Sequence, residues 1–562
     1  MSWIRRVKKG NQIYLYEMTS VWENGKSKQK LIQYLGTESD QEKVPKPKTK
    51  RIRPDLLYPE QSLAAGDVTL LWKIAESLSV VNTIDRFTTG IENIQGPSPG
   101  KYLTTWAINR IVDPESATQL ESWVRSTVLP ILAGMDSLDF TKDAYLRSLD
   151  AICSQSVKTG RITTHISAIE SELYQKWRNI HPLPAQTPET IAFDLTPIPT
   201  YGQECPLIEP GSKTHETHLN QINLSVISSR FDTYPLSHFV HPGGFHSITT
   251  VPDLMVRLKE LMVPKGTIIW DRGYTAIDQI HRVENEGWKL ICGVPKRTKE
   301  VRKLISQTEP PLDPAYLVPT HCMNIYAVKV ESSLFGLHGS IVVYVNAERR
   351  LREMKARNCA LLEIQNDLKE IEATCASMNE DSANEKIRRA VPELYQKFFQ
   401  MTLNQDINGL HLSWEHNVDA RREAERMDGK YLLYATDSSL TAPEIVRMYF
   451  EKDFVEKIFR DLKTYEEIAP LRHRRESRIL GILFVCTLAL RLKTALRIML
   501  DAVNEKKWNA DSLLKKLGRV QRIDLQVGMV QEIWYVNHQK MIDEVLAAIG
   551  MKDLFGGKLR MT

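Results

Sequence analysis

The chain has 562 residues, 42% of them hydrophobic and 25% charged, with a formal net charge of +5 and a pI near 8.6. Such a length exceeds one ordinary core and predicts several domains, or one domain carrying a large insertion. The composition excludes a disordered or fibrous chain, and the small positive charge is compatible with nucleic-acid binding without indicating it.

The first forty residues alternate in short runs, Gln12 to Glu17 and Lys30 to Tyr34, around a turn at Asn24-Gly25, and predict a β-hairpin module over 1–45. A basic linker over 46–66 follows, with Lys46, Lys48, Lys50, Arg51 and Arg53 available for phosphate contacts or simply solvated. Helical periodicity then predicts an all-helical region over 67–185.

From Glu189 the texture becomes β-rich, in the order strand, strand, strand, helix, strand. Phe193-Asp194-Leu195-Thr196 lies in the first of these strands, and Trp270-Asp271-Arg272-Gly273 closes the fourth, at the kind of strand end where α/β sheets gather ligands. Residues 299–427 read as an insertion, mainly β with a projecting helical hairpin over the charge-dense Glu348 to Arg389. The apolar run Ile479 to Leu490 is too short to span a bilayer and predicts a buried core helix, so no membrane partner is expected. Residues 501–562 read as a helical tail.

The N-terminus lacks the apolar stretch of a signal peptide. The seven cysteines, Cys153, Cys205, Cys292, Cys322, Cys359, Cys375 and Cys486, form no Cys-x-x-Cys, so neither a disulfide framework nor a cysteine zinc site is expected, and the cytoplasm is the natural location. His215 and His218 would fall on a strand and not converge on one ion, and the Gly243-Gly244 and Gly556-Gly557 pairs read as turns. A second basic cluster comprises Arg472, His473, Arg474, Arg475 and Arg478.

Chemistry concentrates between Tyr449 and Lys463. As one helix, at about 100° per residue, Lys452, Glu456 and Lys463 fall at about 300°, 340° and 320° from Tyr449. Phe450, Phe454, Ile458 and Leu462 occupy the opposite side at about 100° to 220°. The helix thus presents a carboxylate flanked by a phenol and two amines, groups suited to a metal ion and to phosphate oxygens.

The spacing Tyr449-(2)-Lys452-(3)-Glu456-(6)-Lys463 resembles the Tyr-(2)-Arg-(3)-Glu-(6)-Lys signature of insertion-sequence transposases of the family-four group, relatives of the Tn-five transposase. Asp428-Gly429-Lys430-Tyr431, Asp271-Arg272-Gly273 and the Asp194 strand are similar to the same group, over roughly residues 190 to 495. One departure is visible: Lys452 stands where the group has Arg, keeping the charge without the bidentate fork.

The resemblance implies a ribonuclease-H-like α/β catalytic core over 186–298 and 428–500, interrupted by the insertion and preceded by the hairpin and helical regions. It implies a DDE transposase in which Asp194, Asp271 and Glu456 hold two Mg2+ ions, or Mn2+, and Tyr449, Lys452, Lys463, Arg272 and Arg460 contact DNA. Two metal ions about 3.5–4 Å apart would neutralise both the entering and the leaving oxygen of a phosphodiester. Implied partners are double-stranded DNA, as terminal inverted repeats and target, and a second copy of the chain on paired ends. Trp414 is a candidate for stacking on a flipped base, though a core position is the simpler expectation. Two rival readings are a transposase-derived DNA-binding protein without chemistry and a nuclease that hydrolyses without joining.

Overall fold

The structure, a computed structural model, describes all residues except 1, 11, 24–25, 38–56, 89–96, 157, 186, 212–218, 321–322, 408, 466–470, 504–507, 528–529 and 556–562. The turn at Asn24-Gly25, the basic stretch Lys46 to Arg53, His215, His218, Cys322 and Gly556-Gly557 therefore lie outside the described residues. The chain divides into two compact units, Met1–Glu60 with Asp524–Glu532, and the remainder.

In the first unit β1 (Ser2–Lys9), β2 (Gln12–Glu23) and β3 (Lys26–Thr37) form an antiparallel sheet in that order. The expected hairpin is thus a three-stranded meander with longer strands. Lys26, Lys28 and Lys30 conceal the start of β3 because exposed strand positions need not be apolar.

Strand β4 (Leu57–Ala64) precedes the helices α1 (Gly66–Ser77), α2 (Val80–Thr88), α3 (Pro99–Val112), α4 (Leu120–Arg125), α5 (Leu129–Ala133) and α6 (Lys142–Ile152). A small hairpin of β5 (Cys153–Gln155) and β6 (Ile162–Thr164) comes before α7 (Ile166–Ile180), so the region expected to be all-helical includes two short strands. Leu103, Trp106, Ala107 and Ile108 of α3 are fully buried, which makes α3 the inner helix of this layer.

The second unit is built on a nine-stranded mixed sheet. Its first strands are β7 (Thr190–Thr200), β8 (Asn220–Ser229) and β9 (Pro235–Pro242), an antiparallel meander. After α8 (Val251–Glu260) comes β10 (Thr267–Trp270), parallel to β7, and after α9 (Ile277–Asn285) comes β11 (Lys289–Val294), parallel to β10. All four residues of β10 are buried, as expected of a strand covered on both faces.

Beyond α10 (Lys299–Gln307), β12 (Leu317–Pro319), β13 (Asn324–Val330) and β14 (Ser340–Asn346) join the same sheet through β17 (Lys430–Ala435), giving the order β12-β13-β14-β17-β11-β10-β7-β8-β9. The insertion expected from residue 299 therefore leaves the sheet only after Asn346. Ser340–Asn346 is buried along its whole length, and such a strand needs neighbours on both edges; β13 and β17 supply them.

The segment between β14 and β17 is mostly helical rather than mainly β. It comprises α11 (Ala347–Thr374), α12 (Glu380–Ala390), α13 (Glu393–Gln396) and α14 (Val418–Met427), with one hairpin of β15 (Phe399–Asp406) and β16 (Gly409–His416). Leu361, Ile364, Leu368, Phe398, Phe399 and Leu412 give it a core of its own.

The chain continues through α15 (Ala442–Glu451), α16 (Asp453–Arg460) and a π-helical turn, Asp461–Tyr465, to α17 (Glu476–Ala502). Helix α17 is long and apolar enough to cross a membrane, but 89% of its apolar window is buried inside the protein. It is the expected core helix, packed with α3, α6 and the sheet. The tail, expected to be helical, contains α18 (Ala510–Leu517), β18 (Gln521–Val527), β19 (Val530–Val536) and α19 (Lys540–Ala548).

Candidate active site

Parallel strands β7 and β10 lie side by side with Phe193 opposite Trp270. The next residue on each path is an aspartate, Asp194 within β7 and Asp271 just past the end of β10, on strands about 4.8 Å apart. Phe193 and Trp270 enter the core on one face. Side chains alternate along a strand, so the aspartates turn to the other face. There α15 covers Ile269 with Ile445, Val446 and Tyr449, and α16 covers Ala192 with Val455, Ile458 and Phe459.

The expected single helix over Tyr449 to Lys463 is divided. Lys452 forms a turn between α15 and α16, and the π-helical turn follows Arg460. Each helix buries its own apolar side in a different core. Tyr449 is buried, and its hydroxyl donates to Asp271 Oδ1 at 2.5 Å. Lys452 Nζ stands 4.0 Å from the same oxygen, its side chain only 11% exposed. Glu456, on the exposed side of α16, lines the same cleft as Asp271.

The two aspartates are driven in opposite directions. Burial raises the Asp194 carboxyl above the usual range, and the charges of Asp271 and Glu456 push it further, against the pull of Lys452 and the Leu195 N–H at 2.9 Å. Burial also acts on Asp271, but Lys452, the Tyr449 hydrogen bond and the Arg272 N–H outweigh it and hold the carboxyl below its ordinary value. Burial, then Asp271, pushes the Tyr449 phenol well above its usual range, so it stays a donor. Tyr274, raised by burial and Asp194, donates to Asp194 Oδ1 at 3.5 Å.

A cleft of about 810 Å³ opens over Asp271 and Glu456. Arg272, Arg349, Arg352 and Lys452 line it together with Asp271, Glu353, Asp453 and Glu456, so cations and carboxylates are matched in number. Arg349 and Arg352, at the start of α11, are site residues that the sequence pattern did not mark. Their positions in a charge-dense helix carry no signal; only the departure of α11 from β14 beside β17 brings them here. Glu353 holds this wall, accepting from Arg349 Nε at 3.0 Å, the Tyr431 hydroxyl at 2.9 Å and Gly429 N at 2.8 Å.

Of the other expected DNA contacts, Arg272 lines the cleft, whereas Lys463 and Arg460 do not. The π-helical turn carries Lys463 to a different cleft. Asp232 accepts from Trp177 Nε1 at 2.8 Å and Arg178 Nη1 at 2.6 Å, a structural ion pair, and Asp253 is exposed on α8. Trp414 borders the insertion core, with its Nε1 donating to Glu372 at 3.0 Å.

Among the described residues, no three His, Cys, Asp or Glu side chains stand gathered closely enough to hold a metal ion. The donor chemistry nevertheless fits a hard divalent cation. Asp194, Asp271 and Glu456 offer oxygen ligands only, burial and then the charges of the other two raise Asp194, and the Lys452 ammonium is the local counter-charge.

A family model described as "Transposase DDE domain" matches residues 185–492. No curated protein matches the chain. Among solved structures it is similar to a piggyBac transposase synaptic complex with hairpin DNA, at 10% identity and a TM-score of 0.39, over 81% of this chain and 79% of that one.

Proposed function

The chain belongs to the transposase DDE domain family, and from that premise we propose that it cuts DNA at the ends of a mobile element and joins the freed ends to target DNA. The observation that carries this reading is the register of β7 and β10, which sets Asp194 beside Asp271 under the helix bearing Glu456. The order β9-β8-β7-β10-β11, an antiparallel meander followed by two strands parallel to its first, supports a ribonuclease-H-like core.

Asp194, Asp271 and Glu456 would hold two divalent cations, Mg2+ or Mn2+, which when bound supply charge neutralisation on the entering and leaving phosphate oxygens. Tyr449 keeps Asp271 ionised and oriented. Lys452, Arg272, Arg349 and Arg352 face the cleft and bind phosphate oxygens of the strand to be cut. Arg460 and the N-terminal regions contact DNA farther from the chemistry, and two copies of the chain act on paired ends. The six described cysteines form no disulfide bond, and a cytoplasmic location is part of the same proposal.

The test uses linear DNA carrying the gene's own flanking ends, incubated with Mg2+ and the wild type, Asp271→Ala or Glu456→Ala. Cleavage at the element boundary by the wild type alone, followed by joining to a plasmid, is the expected result. Binding without cutting by all three proteins would favour a DNA-binding protein without chemistry. Cutting without joining would favour a nuclease.

A further inference from the structure

A second cleft, of about 750 Å³, contains none of the three candidate carboxylates. It lies between the helical region and the segment leading into α17. Arg110 from α3, Lys142 from α6, Lys463, Arg472 and Arg478 line it, against one carboxylate, Glu115. Ser116, Thr118 and Gln119 add neutral hydrogen-bonding groups. Where the active-site cleft balances its charges, this one does not.

Two of its cations are anchored by the fold. Arg478 makes a two-pronged pair with Asp150 at 3.0 and 2.8 Å, and Arg110 donates to the Glu115 carbonyl at 3.1 Å. Lys142 and Arg472 are exposed and, among the described residues, have no carboxylate partner. Burial lowers the Lys463 ammonium. His473, in the same wall, is pushed down to about 4 by burial, with Arg110 and Arg478 adding repulsion. The site therefore carries unspent positive potential in a concave, partly dry setting, which favours an anion.

Resting on the transposase reading above, we propose that this cleft binds the phosphodiester backbone of the DNA flanking the cut, with Lys142 and Arg472 contacting phosphates from two separate parts of the chain. The seven residues from Glu456 to Lys463 span about 10 Å of helix, or about three base-pair steps at 3.4 Å each. One duplex can thus pass from the carboxylates to this cleft. The π-helical turn divides the amines of the motif between two sites, with Lys452 at the chemistry and Lys463 at the flank.

Binding of the full-length protein to a fluorescent duplex is measured by anisotropy against salt in EDTA, for the wild type and for Lys142→Ala/Arg472→Ala. Loss of two phosphate contacts should lower the log–log salt slope by about 1.8, at about 0.9 per contact. A Lys142→Arg/Arg472→Lys variant should restore the slope. In the wild type, where folding is not in question, the duplex should also shield Lys142 from acetylation. An unchanged slope with Lys142 unshielded would overturn the proposal, and equal shielding by inorganic phosphate alone would replace the DNA groove with a small-anion site. If the wild type fails to cut element ends while the slope change stands, the cleft survives and the catalytic reading falls. Cutting with an unchanged slope gives the reverse.

Discussion

The Tyr449 hydroxyl reaches Asp271 Oδ1 across 2.5 Å because residue 293 has no side chain: a Cβ on Gly293 would stand 2.7 Å from that hydroxyl oxygen. A hydrogen bond to the ionised carboxylate lowers its pKa, so its removal should raise the pKa of Asp271. Tyr449→Phe is expected to move the acid limb of the pH–rate profile of DNA cleavage to higher pH. The bond is worth about 1.5 kcal/mol or more, corresponding to about one pH unit. Gly293→Ala should shift the limb the same way by displacing the hydroxyl. An unmoved limb in Tyr449→Phe would show that Asp271 is not held ionised by this contact.

Lys452 lowers the pKa of both Asp194 and Asp271. Asp194 is raised overall, so binding of a divalent cation should expel its proton, and affinity should rise with pH. In Lys452→Ala both carboxyls shift upward, and more protons should be released per metal bound at a given pH. Lys452→Arg should return the count towards wild type. Calorimetric titration with Mn2+ in two buffers of different ionisation enthalpy measures it; a count unchanged in Lys452→Ala would separate Lys452 from the carboxyls proposed to bind metal.

How much of this site was legible in the sequence depended on how local its causes are. Thr267–Trp270 followed by Asp271 is a buried strand ending in an acid, readable from five residues, and the strand holding Asp194 was equally plain. The helix after Tyr449 was not. Its periodicity is unbroken on paper, but α15 must cover Ile269 while α16 covers Ala192, and a turn at Lys452 lets each face its own core. Lys463 leaves the predicted sector at the π-helical turn that follows Arg460. The extent of the sheet was hidden too, because β12 and β13 join it only through β14, whose partner β17 comes far later in the sequence.

Glu170 is fully buried with Arg491 at 2.6 Å, His238 at 2.8 Å and Arg257 at 3.3 Å, drawn from α17, β9 and α8. Burial alone would raise its carboxyl, but these three partners together hold it far below the usual range. Removing one member leaves uncompensated charge, so Glu170→Gln should destabilise the protein by about 3–5 kcal/mol. The check is the urea midpoint. A change below about 1 kcal/mol would show that the neighbouring arginines find water or other partners.

His473 has an ordinary value of 6.5 and is pushed down to about 4 in the fold, chiefly by burial. A base with a depressed pKa takes up a proton on unfolding, so its contribution to stability is complete above pH 6.5 and is lost as the pH falls towards 4. His473→Gln should flatten the fall in melting temperature across that window. Equal slopes for variant and wild type would assign the acid sensitivity elsewhere.

Strands β14 and β17 are antiparallel neighbours, with Val345 opposite Lys430 and Asn346 N bonded to Gly429 O at 2.9 Å. Everything from α11 to α14 is therefore, topologically, the loop of a hairpin. A segment attached this way can be lengthened, shortened or exchanged in one genetic event without shifting the register of a single strand. Its first two turns carry Arg349 and Arg352 into the candidate active-site cleft, so each such exchange would also replace one wall of the site while leaving the carboxylates in place.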